Sequence, residues 1–113
     1  MSGISTHVLD VSRGMAAAGV GVVFERLTGG AWIVLSSVVT DNDGRVKALL
    51  PAGMPSEAGD YRLRFATGPY WTSQGVACFH PSIEVTFRIA DATVHHHVPL
   101  LVSPFGYTTY RGT

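Results

Sequence analysis

Five histidines stand in a chain of 113 residues: His7, His80, His95, His96 and His97. Imidazole titrates near neutral pH, so it works as an acid, a base or a metal ligand. The run His95-His96-His97 has strand-like flanks. On a strand His95 and His97 share one face and His96 points to the other. Three uses of that run stand side by side. Alternate strand histidines can reach one metal ion. They can form a catalytic or ligand-binding face. They can also be polar filler on an exposed edge. No Asp, Glu or Cys lies at recognisable ligand spacing, which counts against the metal, and no metal ligands are assigned.

Arg45 follows the turn signal Asp41-Asn42-Asp43-Gly44. It is either a solvated turn charge or an anion-binding group held at a rigid strand start. A guanidinium fork suits a planar polar or anionic substrate. The last residues, Ser103 to Thr113, hold Phe105, Tyr107, Tyr110 and Arg111 together with Pro104, Gly106 and Gly112. Chain ends usually fray, but this one is too apolar to float. It is expected to pack and to bring the Thr113 carboxylate into a site. There is no nucleophile-elbow serine motif and no glycine-rich phosphate loop. Cys78, the single cysteine, rules out an internal disulfide framework and reads as a small buried hydrophobe.

These residues need a scaffold, and composition bounds it. The length fits one domain, 1–113, which buries roughly 65% of its unfolded surface. Charged residues are 14% and apolar residues 46%, against a typical charged share of about 25%. So few charges on so small a domain imply that other copies of the chain cover part of its surface. Net charge is zero and the basic residues are scattered, so neither nucleic acid nor an anionic membrane is an expected partner. No signal peptide or membrane-spanning run is seen, and the cytoplasm is the expected compartment.

The pattern along the chain is all-β. Val20 to Leu27, Trp32 to Thr40, Tyr61 to Phe65, Ser82 to Arg88, Val94 to Val102 and Gly106 to Tyr110 read as strands between Gly, Asn and Asp turns. Tyr61, Leu63 and Phe65 share one face, as do Ile83, Val85 and Phe87. Pro51 to Ala58 is a loop, and one short helix is expected near Tyr70 to Val76. Seven or eight short strands at this spacing predict a two-sheet β-sandwich. Trp32 to Val39 and Val98 to Val102 are apolar on both faces, which predicts that their outer faces meet another subunit.

The same residues, taken in order, resemble the transthyretin-like family and, within it, the 5-hydroxyisourate hydrolase branch. Thr6-His7-Val8-Leu9-Asp10, Arg13-Gly14 and Ala17-Ala18-Gly19-Val20 are similar to its opening. Thr40 to Arg45, Tyr61 to Phe65, Phe79-His80-Pro81 and Ile83 to Phe87 follow in family order. His95 to Tyr107 and the terminal Tyr110-Arg111-Gly112-Thr113 close the match. The paired histidines and the Tyr-Arg-Gly ending separate the hydrolases from the hormone carriers. Thr113 stands where serine is usual and keeps a hydroxyl. His96 stands where tyrosine is common, Met15-Ala16 replaces a polar-proline pair, and His80 replaces an aromatic and reads as structural.

The resemblance implies a transthyretin-like sandwich and a homotetramer, a dimer of dimers with active sites where the dimers meet. It implies hydrolytic ring opening of 5-hydroxyisourate, a cyclic ureide of urate degradation, without a cofactor. His7, Arg45, His97 and Thr113 then carry catalysis. His7, Arg45, Tyr110, Arg111 and Gly112 bind the substrate, and His95 supports His97 from the same face. The alternatives are a small-molecule carrier on the same fold and a metal module of His7, His95 and His97.

Overall fold

A computed structural model describes residues 3–113 as nine strands and one helix. In chain order these are β1 (Gly3–Asp10), β2 (Met15–Ala16), β3 (Gly21–Thr28), β4 (Ala31–Val39) and β5 (Arg45–Val46). They are followed by β6 (Gly59–Ala66), α1 (Thr67–Ser73), β7 (Ile83–Ile89), β8 (His95–Ser103) and β9 (Gly106–Thr109). One sheet has the order β4-β3-β6-β7 and is antiparallel throughout. The other runs β2-β1-β8-β9, with β5 paired to β1. Within it β1 and β8 are parallel, in register from Gly3 opposite His95 to Asp10 opposite Val102.

The two sheets close on one core. Phe24, Leu63, Phe65, Ile83 and Ile89 fill it from one side, and Ile4, Val8, Leu100 and Val102 from the other. Phe24 and Tyr61 stack with centroids 5.4 Å apart, the offset geometry that aromatic rings prefer. β1 also turns polar side chains inward. The Thr6 hydroxyl donates to the Val98 carbonyl at 2.6 Å. Buried Asp10 accepts from Ser12 N and Oγ, Arg13 N and the Tyr70 hydroxyl. Four donors compensate a carboxylate taken out of water, and they tie α1 to the end of β1.

Most of the expected elements stand. The helix begins at Thr67, three residues before the expected start, because Pro69 is tolerated in a first turn. It ends before Gly75, whose φ of 69° suits a left-handed stop. The expected β9 stops at Thr109 rather than Tyr110. β4 lies at a sheet edge, and its register with β3 shifts between Phe24 and Glu25, with Leu35 as the extra residue. Ile33 and Val34 are both exposed. Cys78 is half-buried. Among the described residues, no helix is long and apolar enough to cross a membrane.

Candidate active site

Two ladders assemble the site. The parallel pairing places Ser5 opposite His97, and the β1–β5 pairing places His7 opposite Arg45. Residues opposite one another share a face, as do residues two apart. Ile4, Val8, Val98 and Leu100 point into the core. Ser5, His7, Arg45, His95 and His97 therefore share the outer face of the β1–β8 sheet. Ser5, Thr6, Arg45, Val46, Lys47, His95, His97 and Thr113 line a cleft of about 260 Å³ there.

Hydrogen bonds orient this cluster. The Ser5 hydroxyl lies 2.7 Å from His95 Nε2 and 2.8 Å from His97 Nδ1. His7 Nε2 donates to the Asp43 carbonyl at 2.8 Å. A carbonyl only accepts, so the proton of neutral His7 resides on Nε2 and its Nδ1 is the free lone pair. The turn that carries Arg45 is laced by Asp41, whose carboxylate accepts from Asp43 N and Arg45 N, each at 2.9 Å. These bonds, the Arg45 one foremost, hold the Asp41 pKa below its usual value. Gly44 carries a φ of 72°, and a Cβ there would lie 2.4 Å from the Val8 carbonyl. Only glycine lets this turn lie flat on β1.

The tail continues beside β8 after β9 ends. Leu100 pairs with Thr109, and His97 pairs with Gly112 in the same register. The interruption falls opposite Pro99, which has no N–H to offer a ladder. Gly112 N then donates to the His97 carbonyl at 2.8 Å. A Cβ on Gly112 would sit 2.6 Å from His97 Cδ2, so the backbone must pass here without a side chain.

The surroundings of His97 favour its neutral form. Burial is the largest cause of a lowered pKa, followed by the positive fields of His7, Arg45 and His95, against a smaller raising effect from the Ser5 backbone. Desolvation and nearby cations both disfavour imidazolium. An uncharged imidazole beside a guanidinium, in a small open cleft, can accept a proton from water while the cation holds an oxygen of the substrate.

The structure brings Arg45, His97 and Thr113 onto one cleft, with His7 beside them on the same sheet face. Gly112 backs His97. Tyr110 and Arg111 are exposed and line a second, more apolar cleft of about 220 Å³ with Val85, Phe87, His96 and Val98, and His97 lines this cleft as well as the first. His96 is buried on the opposite strand face, with Nδ1 at 3.1 Å from the Val94 carbonyl. His80 lies edge-on to Phe79 and Tyr107, outside the site. Among the described residues, no three His, Cys, Asp or Glu side chains are placed to hold a metal ion. Apart from apolar Val46, two cleft residues were not singled out from sequence, Ser5 and Lys47. Each sits two positions from an assigned residue, Ser5 from His7 and Lys47 from Arg45, and that same-face spacing was the available signal.

The molecule is thus a two-sheet sandwich with a histidine–arginine cleft on the outside of one sheet. A model of the HIUase/Transthyretin family matches residues 4–112, and the chain belongs to that family. It is 46% identical over 110 residues to the 5-hydroxyisourate hydrolase of Salmonella dublin, covering 97% of this chain and 80% of that protein. Among solved structures, 5-hydroxyisourate hydrolase of Klebsiella pneumoniae is similar with a TM-score of 0.84 and 35% identity, covering 99% of this chain and all of that one. Sea bream transthyretin, solved in complex with thyroxine, has a TM-score of 0.88 and 34% identity, covering 97% of this chain and 94% of that one.

Proposed function

We propose that the protein is a 5-hydroxyisourate hydrolase, opening the substrate ring by hydrolysis in urate degradation. The backbone likeness extends to a 5-hydroxyisourate hydrolase and to a thyroxine-bound transthyretin alike, so the fold does not choose between hydrolysis and ligand binding. The observation that carries the reading is the cleft: His97, Arg45 and adjacent His7 stand together on one face. A hydrophobic carrier site has little use for three such groups.

Water adds to a ring carbonyl, the carbonyl oxygen takes up negative charge, and the ring C–N bond breaks with a proton delivered to nitrogen. His97 accepts the water proton. Arg45 holds the substrate oxygens and the developing charge, with Lys47 beside it. His7 orients the water through Nδ1 or, as imidazolium, protonates the leaving nitrogen. Gly112 holds His97, and Thr113 forms one wall. Tyr110 and Arg111 meet the substrate in an assembled homotetramer, where a neighbouring subunit completes the pocket. No cofactor enters these steps.

The test is an ultraviolet assay on 5-hydroxyisourate generated freshly by uricase. The wild type is expected to speed its decay with multiple turnovers, at a rate proportional to enzyme concentration. His97→Asn is expected to lose about 10²–10⁴ in kcat, the usual worth of a general base, with its circular dichroism unchanged. Substrate decay at the uncatalysed rate with the wild type would sink the proposal.

A further inference from the structure

We propose that Ser5 and His95 form a proton relay behind His97, carrying the proton taken from water out of the cleft. This rests on the hydrolase reading and adds a residue that the sequence did not single out.

The geometry is a three-member chain. One hydroxyl lies 2.7 Å from His95 Nε2 and 2.8 Å from His97 Nδ1. Both distances are short for hydrogen bonds. Ser5 is buried, so water does not compete freely for its oxygen. A hydroxyl has one proton and two lone pairs. With both imidazoles neutral, it donates to one ring and accepts from the other.

Two proton arrangements satisfy this chain. In the first, His95 Nε2–H donates to Ser5, and Ser5 donates to His97 Nδ1. His97 Nε2 then carries hydrogen and cannot act as a base. In the second, His97 Nδ1–H donates to Ser5, Ser5 donates to His95 Nε2, and His97 Nε2 is a free lone pair. Only the second arrangement is the reactive tautomer. The shared serine thus makes the tautomer of His97 depend on that of His95.

The same chain moves a proton during turnover. The water O–H bond breaks as a bond forms to His97 Nε2. The His97 Nδ1–H bond breaks as one forms to Ser5 Oγ. The Ser5 O–H bond breaks as one forms to His95 Nε2. Ser5 ends with one proton as it began, His97 ends neutral, and His95 ends as imidazolium. Reversal, with the His97 Nε2 proton passing to the leaving nitrogen, restores the reactive arrangement; a proton that His95 Nδ1 has released to solvent is taken back there before the chain reverses. His95 is suited to that end of the chain, because it is exposed. Gly3, opposite it, presents no side chain where a Cβ would lie 3.1 Å from His95 Nδ1.

The charges around His97 favour this direction. From β1 it faces His7, from β5 Arg45 and Lys47, from β8 His95, and from the tail Thr113. Positive charge retained on His97 would face Arg45 and His7, whereas His95 at the cleft rim is solvated.

Ser5→Ala removes the link and one oxygen atom. Its kcat is expected to fall about ten- to a hundredfold, within the range for proton-transfer groups, with KM nearly unchanged. Without the hydroxyl to accept from the cation, His97 titrates lower, so the acid limb of the kcat profile is expected to move to lower pH. His95→Asn is expected to lower kcat similarly, and the double variant to lose no more than either single one. Nitrogen NMR of the wild-type rings, without substrate, is expected to show a protonated His97 Nδ1 that changes in Ser5→Ala. An active wild type with Ser5→Ala unchanged in both kcat and pH profile would overturn the relay. So would a His97 ring spectrum indifferent to Ser5. An inactive wild type with the coupled ring signals present would instead overturn the hydrolase reading.

Discussion

At the scale of single residues, the cleft depends on what stands behind His97 as much as on what faces substrate. Gly112 is the clearest case. Its hydrogen bond to the His97 carbonyl fixes the tail, and its missing Cβ leaves room for the ring. Gly112→Ala is expected to push the imidazole off Ser5 and lower kcat by about a hundredfold, the worth of a displacement near 1 Å. Melting temperature should move little, because only one ladder bond holds Gly112. Retained turnover with a displaced melting point would show a structural role instead. His97 itself sets a pH dependence. Its folded pKa lies below the ordinary 6.5, so between the two values the unfolded chain binds more protons. Stability is therefore full above about pH 6.5 and falls as pH drops through the folded value. The acid limb of kcat/KM should likewise lie below 6.5. Thermal melts from pH 5 to 8 should show a slope that His97→Asn reduces.

At the scale of elements, what was legible in the sequence divides along physical lines. β6 and β7 were legible because large apolar residues alternate with polar ones in both. β1 was not singled out as a strand, although it positions Ser5 and His7. Its inward positions are Ile4, Thr6, Val8 and Asp10, and two of these are polar residues satisfied only by the tertiary structure. The two-residue strands β2 and β5 carry no period at all. The histidine face could be inferred from alternation, but the Ser5 bridge could not, because it joins residues about ninety positions apart across a parallel pair. The Arg45 turn was legible from Asp41 to Gly44, and its packing explains why glycine is needed. Gly44→Ala combines a positive φ with a clash against the Val8 carbonyl. It is expected to cost about 1–3 kcal/mol and to lower the affinity of Arg45 for substrate oxygens. Urea melts and KM together check this. A rise in KM without a change in stability would mean that the turn moves freely of β1.

At the scale of the whole molecule, the cleft of a single subunit stands open to solvent. Arg45, His95 and Thr113 are exposed, whereas hydrolysis by positioned charges works best where bulk water is excluded. The surface also carries large exposed aromatics. Phe79 is 70% and Phe105 73% exposed, and the Phe79 N–H donates to the Pro104 carbonyl at 2.8 Å. Tyr107 and His80 adjoin them, so the β8–β9 turn and the loop before β7 form one apolar surface. Such a surface, on a chain of only 14% charged residues, is better explained by burial against other copies than by exposure. A homotetramer would cover it and close the clefts in the same step. Phe105→Glu places a charge at the tip of that turn, away from the His97 cleft. Sedimentation is expected to show the wild type as a tetramer and the variant as smaller species. Turnover should fall at least tenfold, in line with a site completed by its neighbour. The variant subunit should still melt cooperatively, because Phe105 contributes nothing to the subunit core. A smaller species with full activity would show that each cleft works alone, and a variant that remains tetrameric would place the interface elsewhere.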